Sequence, residues 1–214
     1  MDPRPAAGRA GRAAAGRGCA LSLDCRSGSA PGQARHGCGR GCGPPFCHDG
    51  TERRISRPKD AAEQKSCSSG KKKCHTVKNI LLINALLTIL FLSDTYEGSA
   101  HDKRIADGTP YPLPEGSELV QDLGFLAFTL AGVRCTTPFK KPRGGALTDE
   151  QKAFNQALAR RRVRIEHVNS SVKRCRMVKD TIRVFRDGAR DMVAEVCCAL
   201  HNFRVRLSPW KPML

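Results

Sequence analysis

Aromatic residues are scarce, at 5% of 214 residues, with one tryptophan and two tyrosines. Without an RRM-like aromatic signature, a role that stacks unpaired RNA bases on a sheet is disfavoured. Long apolar runs are missing too. The longest, Ile80 to Leu92, is interrupted by Asn84 and falls short of the roughly 18 residues a membrane span needs. It reads instead as two buried strands joined by a tight turn at Asn84-Ala85. The amino terminus lacks the apolar stretch of a secretory signal, and the eleven cysteines are an odd number. The thiols therefore read as reduced and the protein as intracellular. Cys38, Cys42, Cys47 and His48 lack the paired C-x-x-C spacing of a zinc site, which leaves zinc a minor alternative.

Positive charge is what the chain has in excess. It carries 37 Lys+Arg against 20 Asp+Glu, a net charge of +17, with a pI near 9.8. Residues 138–183 hold 13 Lys+Arg and 4 Asp+Glu, about half of that net charge. Clustering of this kind favours a polyanion-binding face, on nucleic acid before an anionic membrane, over general solubility.

Residues 1–45 are of another kind, with 10 Gly, 9 Ala, 5 Pro, 7 Arg and no Lys. Such a segment buries too little apolar surface to offset its conformational entropy, so residues 1–47 are expected to be disordered. The composition also suggests a shifted or upstream reading frame, with an organelle transit peptide as the rival reading. The pattern becomes globular over 48–210. Asp49–Glu52 looks like a strand end entering a turn, 53–73 a polar loop, and 74–84 and 86–95 paired strands. A short helix is expected over 102–106, with strands over 118–122 and 132–137.

Thr148 and Gln151, three apart, form a capping box that opens a helix. Its apolar face is Phe154, Leu158, Ile165, Val168, Val172 and Cys175, and Glu166 lies beside that face. A last helix near 187–207 shows the stripe Phe185, Ala189, Met192, Val193, Val196, Leu200 and Phe203. Strands followed by a long basic helix predict an α/β or α+β sheet covered by helices.

Asp49, Asp122 and Glu166 stand at junctions where a site could form, and Gly124 allows close backbone approach near Asp122. Three oxygen ligands from strands and a facing helix would suit Mg²⁺ or Mn²⁺ in phosphoryl chemistry. An acid at a strand end is more often a turn or cap residue, so spacing alone leaves both readings open. Arg162 is the i,i+4 neighbour of Glu166, and pairing between them would explain part of the Arg160–Arg164 cluster.

Several stretches in one order resemble the insertion-sequence DDE transposase family, in the branch shared with Harbinger-like elements. They are Asp49-Gly-Thr-Glu-Arg-Arg-Ile-Ser-Arg-Pro58, Ser69–Asn79, Tyr96-Glu-Gly-Ser-Ala-His-Asp-Lys-Arg104 and Gln121-Asp-Leu-Gly-Phe125. The run Lys140–Gly145, Leu147–Lys152, Arg161–Val168 and Cys197–Phe203 resembles the family's ending. The resemblance implies an α/β, RNase H-like mixed sheet flanked by helices. It implies catalysis of DNA cleavage and strand transfer by Asp49, Asp122 and Glu166, with Mg²⁺ or Mn²⁺ held by the same three.

DNA is the implied partner, met by Lys71, Lys72, Lys73, Lys78, Lys140, Lys141, Arg143, Arg160, Arg161 and Arg164. His101 and Asp102 match a family motif with a supporting role, a short helix cap being the alternative. A homo-oligomer is compatible with the resemblance, a membrane is not implied, and the compartment would be cytoplasm or nucleoid in a bacterium and nucleus in a eukaryote. Three departures stand out. Pro44 and Pro45 predict only a stub of strand before Asp49, and no helix-turn-helix precedes it, as in a degraded copy that binds DNA without efficient cleavage. Ala127 stands where the family has glycine. Asn169-Ser-Ser171 replaces a more apolar turn.

Overall fold

The computed structural model describes Cys19–Ala20, residues 45–184, Arg186 and residues 188–213. A mixed sheet forms the middle layer. Its strands are β1 (Cys19–Ala20), β2 (Pro45–Arg54), β3 (Ser68–Ser69), β4 (Cys74–Asn84), β5 (Ile89–Leu92), β6 (Tyr96–Glu97), β7 (Glu118–Val120) and β8 (Arg134–Thr136). The spatial order is β1-β5-β4-β2-β7-β8, with β3 and β6 also paired to β4. β4 runs antiparallel to β2 and β5, whereas β7 is parallel to β2 and β8 to β7. The fold is thus the α/β, RNase H-like mixed sheet flanked by helices that the resemblance implied.

The register of β4 explains its composition. Successive side chains point to opposite faces, so Leu81 and Ile83 join one core while Ile80 and Leu82 join another. A strand covered on both faces has no position for a polar residue there, hence the unbroken Ile80–Ile83 run. The first core is closed by α3 (Asp149–Val172), α4 (Arg176–Lys179) and α5 (Ala189–Leu207). The second is closed by α2 (Asp102–Asp107) and by Tyr111, Phe125 and Phe128. The turn after β4 is an Asn84 device, its Oδ1 accepting from the N–H groups of Leu86 and Thr88, each at 3.0 Å. No helix among the described residues is long and apolar enough to cross a membrane.

Four expectations are corrected. First, β2 is a full strand of 10 residues that pairs with β4 from Phe46 to Arg54. Asp49 is therefore inside a strand, not at its end. Pro45 is the strand's first residue, where a missing N–H and a fixed φ are tolerated. Residues 45–47 belong to the fold and Cys19–Ala20 pair with β5; disorder over 1–18 and 21–44 lies outside the described residues. Second, Cys47 and His48 face opposite sides of the sheet. Cys47 joins the first core, while His48 stacks on Phe125 at 3.9 Å and meets the Tyr111 hydroxyl at 2.8 Å. Burial lowers His48 to about 3. These two make no zinc pair with each other; Cys38 and Cys42 lie outside the described residues.

Third, most of the expected apolar stripe of α5 faces outward, only Val193 of it packing against the first core. Ala194, Cys197, Cys198, His201, Asn202 and Val205 are buried, while Met192, Val196, Leu200 and Phe203 are exposed; Phe185 lies outside the described residues. The buried polar residues serve backbone: Asn202 both accepts from and donates to Ile89, at 2.8 Å each, and His201 Nε2 meets the Leu87 carbonyl at 2.9 Å. Fourth, the loop over 53–73 contains α1 (Ala61–Ser66), capped by Asp60, and β3. Within α3 the capping box is present in full. Of the expected face, Phe154 is exposed against Phe139 and Cys175 lies past the helix end as the N-cap of α4, half-buried against the first core.

Candidate active site

Asp49 shares its parity on β2 with Cys47 and so faces α3. Its Oδ2 accepts from Asn169 Nδ2 at 2.9 Å. Burial pushes the Asp49 carboxyl up to about 6; the Gly50 N–H and Arg162 oppose this, and the charges of Asp122 and Asp102 add to it. Asp122 lies two residues past the end of β7 and opens a 3₁₀ turn, Leu123–Phe125, with its Oδ1 accepting from the Leu123 N–H at 2.6 Å. Its Oδ2 is held by Arg162 at 2.9 Å. Arg162 thus pairs with Asp122, not with its helical neighbour Glu166 as expected. Glu166 is exposed on α3, one turn after Arg162 and three residues before Asn169.

All three acids line one cleft of about 550 Å³, together with Glu52, Lys71, Lys78, His101, Asp102 and Arg162. Asp102 is packed where the middle of β2 and the 3₁₀ turn come closest to α2. A Cβ on Gly50 would meet its Oδ1 at 3.1 Å, and one on Gly124 its Oδ2 at 3.3 Å. Lys78 ties this acid down, its Nζ lying 3.2 Å from Asp102 Oδ1 and 2.8 Å from the Ala100 carbonyl. His101 stands at the N-cap position of α2 but makes no side-chain capping bond, so capping does not account for it. Glu52 accepts from the Thr76 hydroxyl at 2.6 Å. Against the opposing effect of burial, bonds from Ser69 and Thr76 and the charges of Lys72 and Lys78 hold it below the usual carboxylate range.

The donor set is rich in carboxylate oxygen, which suits a hard divalent cation in kind. Its present arrangement is a protein-satisfied one. Asp49 is taken by Asn169 and Asp122 by Arg162, and among the described residues no group of three His, Cys, Asp or Glu side chains is assembled to hold an ion.

The family model for DDE superfamily endonucleases matches residues 48–202, a span that contains the whole cleft. The chain belongs to the DDE superfamily endonuclease family. It is also 35% identical over 125 residues to a "Probable transposase for insertion sequence element IS702" from Microchaete diplosiphon. That match covers 58% of this chain and 45% of the relative, so the chain spans less than half the length of the curated relative. No solved structure matches it significantly.

In this DDE endonuclease chain the fold brings together Asp49, Asp122, Glu166, His101, Asp102, Lys71 and Lys78. The other basic residues singled out from sequence do not line the cleft. Lys72 reaches the outer side of Glu52, and Lys73 is exposed with φ at 55°. Lys140, Lys141 and Arg143 lie on an exposed loop, and Arg160 is exposed on α3. Arg161 forms a two-pronged pair with the buried Glu118, at 3.1 and 2.7 Å, and Arg164 donates to the Lys211 carbonyl. The sequence did not single out Arg162 as a cleft residue or Asn169 as the buried partner of Asp49. Their signal was helical spacing, i−4 and i+3 from Glu166, which puts all three on one side of α3. Asn169 is in the helix, not in a turn.

Proposed function

We propose that this chain is the catalytic domain of a metal-dependent DNA transposase or endonuclease, cutting phosphodiester bonds at transposon ends and joining them to target DNA. The observation that carries this reading is the convergence of Asp49, Asp122 and Glu166, from three separate elements, on one cleft edged by Lys71, Lys78 and Arg162. Asp49, Asp122 and Glu166 would hold Mg²⁺ or Mn²⁺, which when bound supplies Lewis-acid stabilisation of the reacting phosphate oxygens. Lys71, Lys78 and Arg162 would hold the flanking phosphates. Asn169 fixes the Asp49 carboxylate, and Asp102 braces Lys78 and the Gly50 and Gly124 backbones. The reaction takes place wherever the DNA is, nucleoid or nucleus, and a homo-oligomer would bring two ends together.

A second reading, a DNA-binding remnant without cleavage, draws on the ties of Asp49 to Asn169 and Asp122 to Arg162. Supercoiled plasmid incubated with Mn²⁺ separates the two. The first reading expects nicking by the wild type that disappears in Glu166→Gln. Plasmid retained by both proteins and cut by neither supports the remnant.

A further inference from the structure

The chain beyond α5 doubles back across the sheet's helical layer. Met213 is buried and donates its N–H to the Ala85 carbonyl at 2.8 Å. Trp210 packs against the first core and meets His201 edge-on, with ring centroids 5.5 Å apart. Arg164 donates to the Lys211 carbonyl, so the tail is fixed at both ends of its return. Between this tail and α3 lies a second cleft, of about 360 Å³, lined by Arg164, His167, Ser171, Arg174, Trp210 and Lys211. No carboxylate is among its lining residues. Arg164, one of the lining residues, has a buried Nε with no protein acceptor. Ser171 already accepts from Arg204 at 2.7 Å, which adds a cation behind the cleft.

A pocket of cationic side chains with an unanswered N–H and one partly exposed indole is matched to a phosphate joined to a flat ring. Guanidinium forks recognise phosphate oxygens, and an indole face stacks on any base. Its position is informative too. Ser170 borders this cleft and follows Glu166 of the catalytic cleft by four residues, one helical turn away on neighbouring surface. We propose that this pocket is a second nucleic-acid subsite, which holds an unpaired nucleotide and its phosphates on the strand leaving the catalytic cleft across α3. The proposal rests on the DNA-cleaving reading above.

Trp210 is the single tryptophan of the chain, so its fluorescence reports this pocket alone. The full chain is titrated in EDTA with a single-stranded oligonucleotide, with inorganic phosphate as a second arm, and total binding is followed by anisotropy of a label on the oligonucleotide. The expected result is saturable quenching of Trp210 that tracks the anisotropy. Arg174 and Lys211 are exposed, so an Arg174→Gln, Lys211→Gln double variant should fold normally. It should lose most of the quenching, and the slope of log affinity against log salt should drop by about 1.4, the value for two phosphate contacts on a single strand. Anisotropy that rises with no change at Trp210 overturns this inference and leaves the proposed function standing. Quenching by millimolar phosphate that the oligonucleotide cannot displace also overturns it, in favour of a free-anion site. Absence of any binding of the oligonucleotide overturns this inference, and the proposed function is then decided by the plasmid-nicking test above.

Discussion

Asn169 and Asp49 are joined by a 2.9 Å hydrogen bond across 120 residues of chain, and this bond ties the long helix to the central strand at the cleft. Its amide donates to one carboxylate oxygen, while its own carbonyl oxygen is buried without a partner. A residue held this way is there for its donor. Asn169→Ala removes that donor from a part-buried carboxylate, a loss of roughly 1–2 kcal/mol of orientation energy. Metal-dependent nicking should slow by about tenfold or more while the melting temperature moves little. Single-turnover nicking beside a thermal melt measures both.

Asp49 makes its own contribution to the pH dependence of stability. Its folded value of about 6 lies above the ordinary 3.8, so the folded state binds this proton more tightly than the unfolded chain does. That contribution is fully present below about pH 4 and is lost as pH rises through 6. Buried His48, lowered to about 3 from 6.5, contributes with the opposite sign over the same window, so the Asp49 part is read as the difference between two proteins in EDTA. Relative to the wild type, Asp49→Asn should gain on the order of 3 kcal/mol as pH rises from about 4 to above 6, and be the more stable protein at pH 7. Urea unfolding at pH 4.5, 6 and 7.5 provides the check, and identical slopes for the two proteins would count against the burial of this acid.

Gly98 is fixed by space. A Cβ there would stand 2.1 Å from Thr76 Oγ1 and 2.6 Å from the Thr76 carbonyl, and backbone cannot give way cheaply. Gly98→Ala should cost about 2 kcal/mol or more, in the range of overpacking changes. Denaturant midpoints with an unchanged slope would register it as a loss of stability.

Ala127 is the opposite case. It adopts a φ of 65°, a left-handed conformation that a Cβ penalises by roughly 1–2 kcal/mol. Ala127→Gly should relieve part of that strain, offset in part by greater freedom of the unfolded chain, for a net gain of about 0.5–1 kcal/mol. A small rise in midpoint on urea unfolding is the expected reading.

How much of this was legible in the sequence depends on what each segment packs against. The β4 bounds, 74–84, agree with the strand, because a run apolar at every position fits a strand covered on both faces. The Thr148–Gln151 box placed the start of α3, since capping is local chemistry. The face of α5 was misread because apolar periodicity assumes that burial follows hydrophobicity. Here His201 and Asn202 are buried to satisfy the backbone of Leu87 and Ile89, and Met192 and Phe203 are left outside. Two prolines before Asp49 suggested a missing strand, but the partners that complete β2 are Thr76–Asn84 and Glu118–Val120, far along the chain. For the same reason Asp122 could be singled out, but its partner Arg162 could not. Their pairing exists only once β7 and α3 lie side by side.

Asp49, Asp122 and Glu166 together make up the proposed cation site. Mn²⁺ titration followed by electron paramagnetic resonance tests it directly, on the wild type, Asp49→Asn, Asp122→Asn, Glu166→Gln and Glu52→Gln. The prediction is saturable binding to the wild type, weakened by more than about tenfold in each of the three proposed ligand variants, and retained in Glu52→Gln, whose carboxylate is taken up by Thr76. Equal affinity in the wild type and Glu166→Gln, or a loss confined to Glu52→Gln, would contradict it.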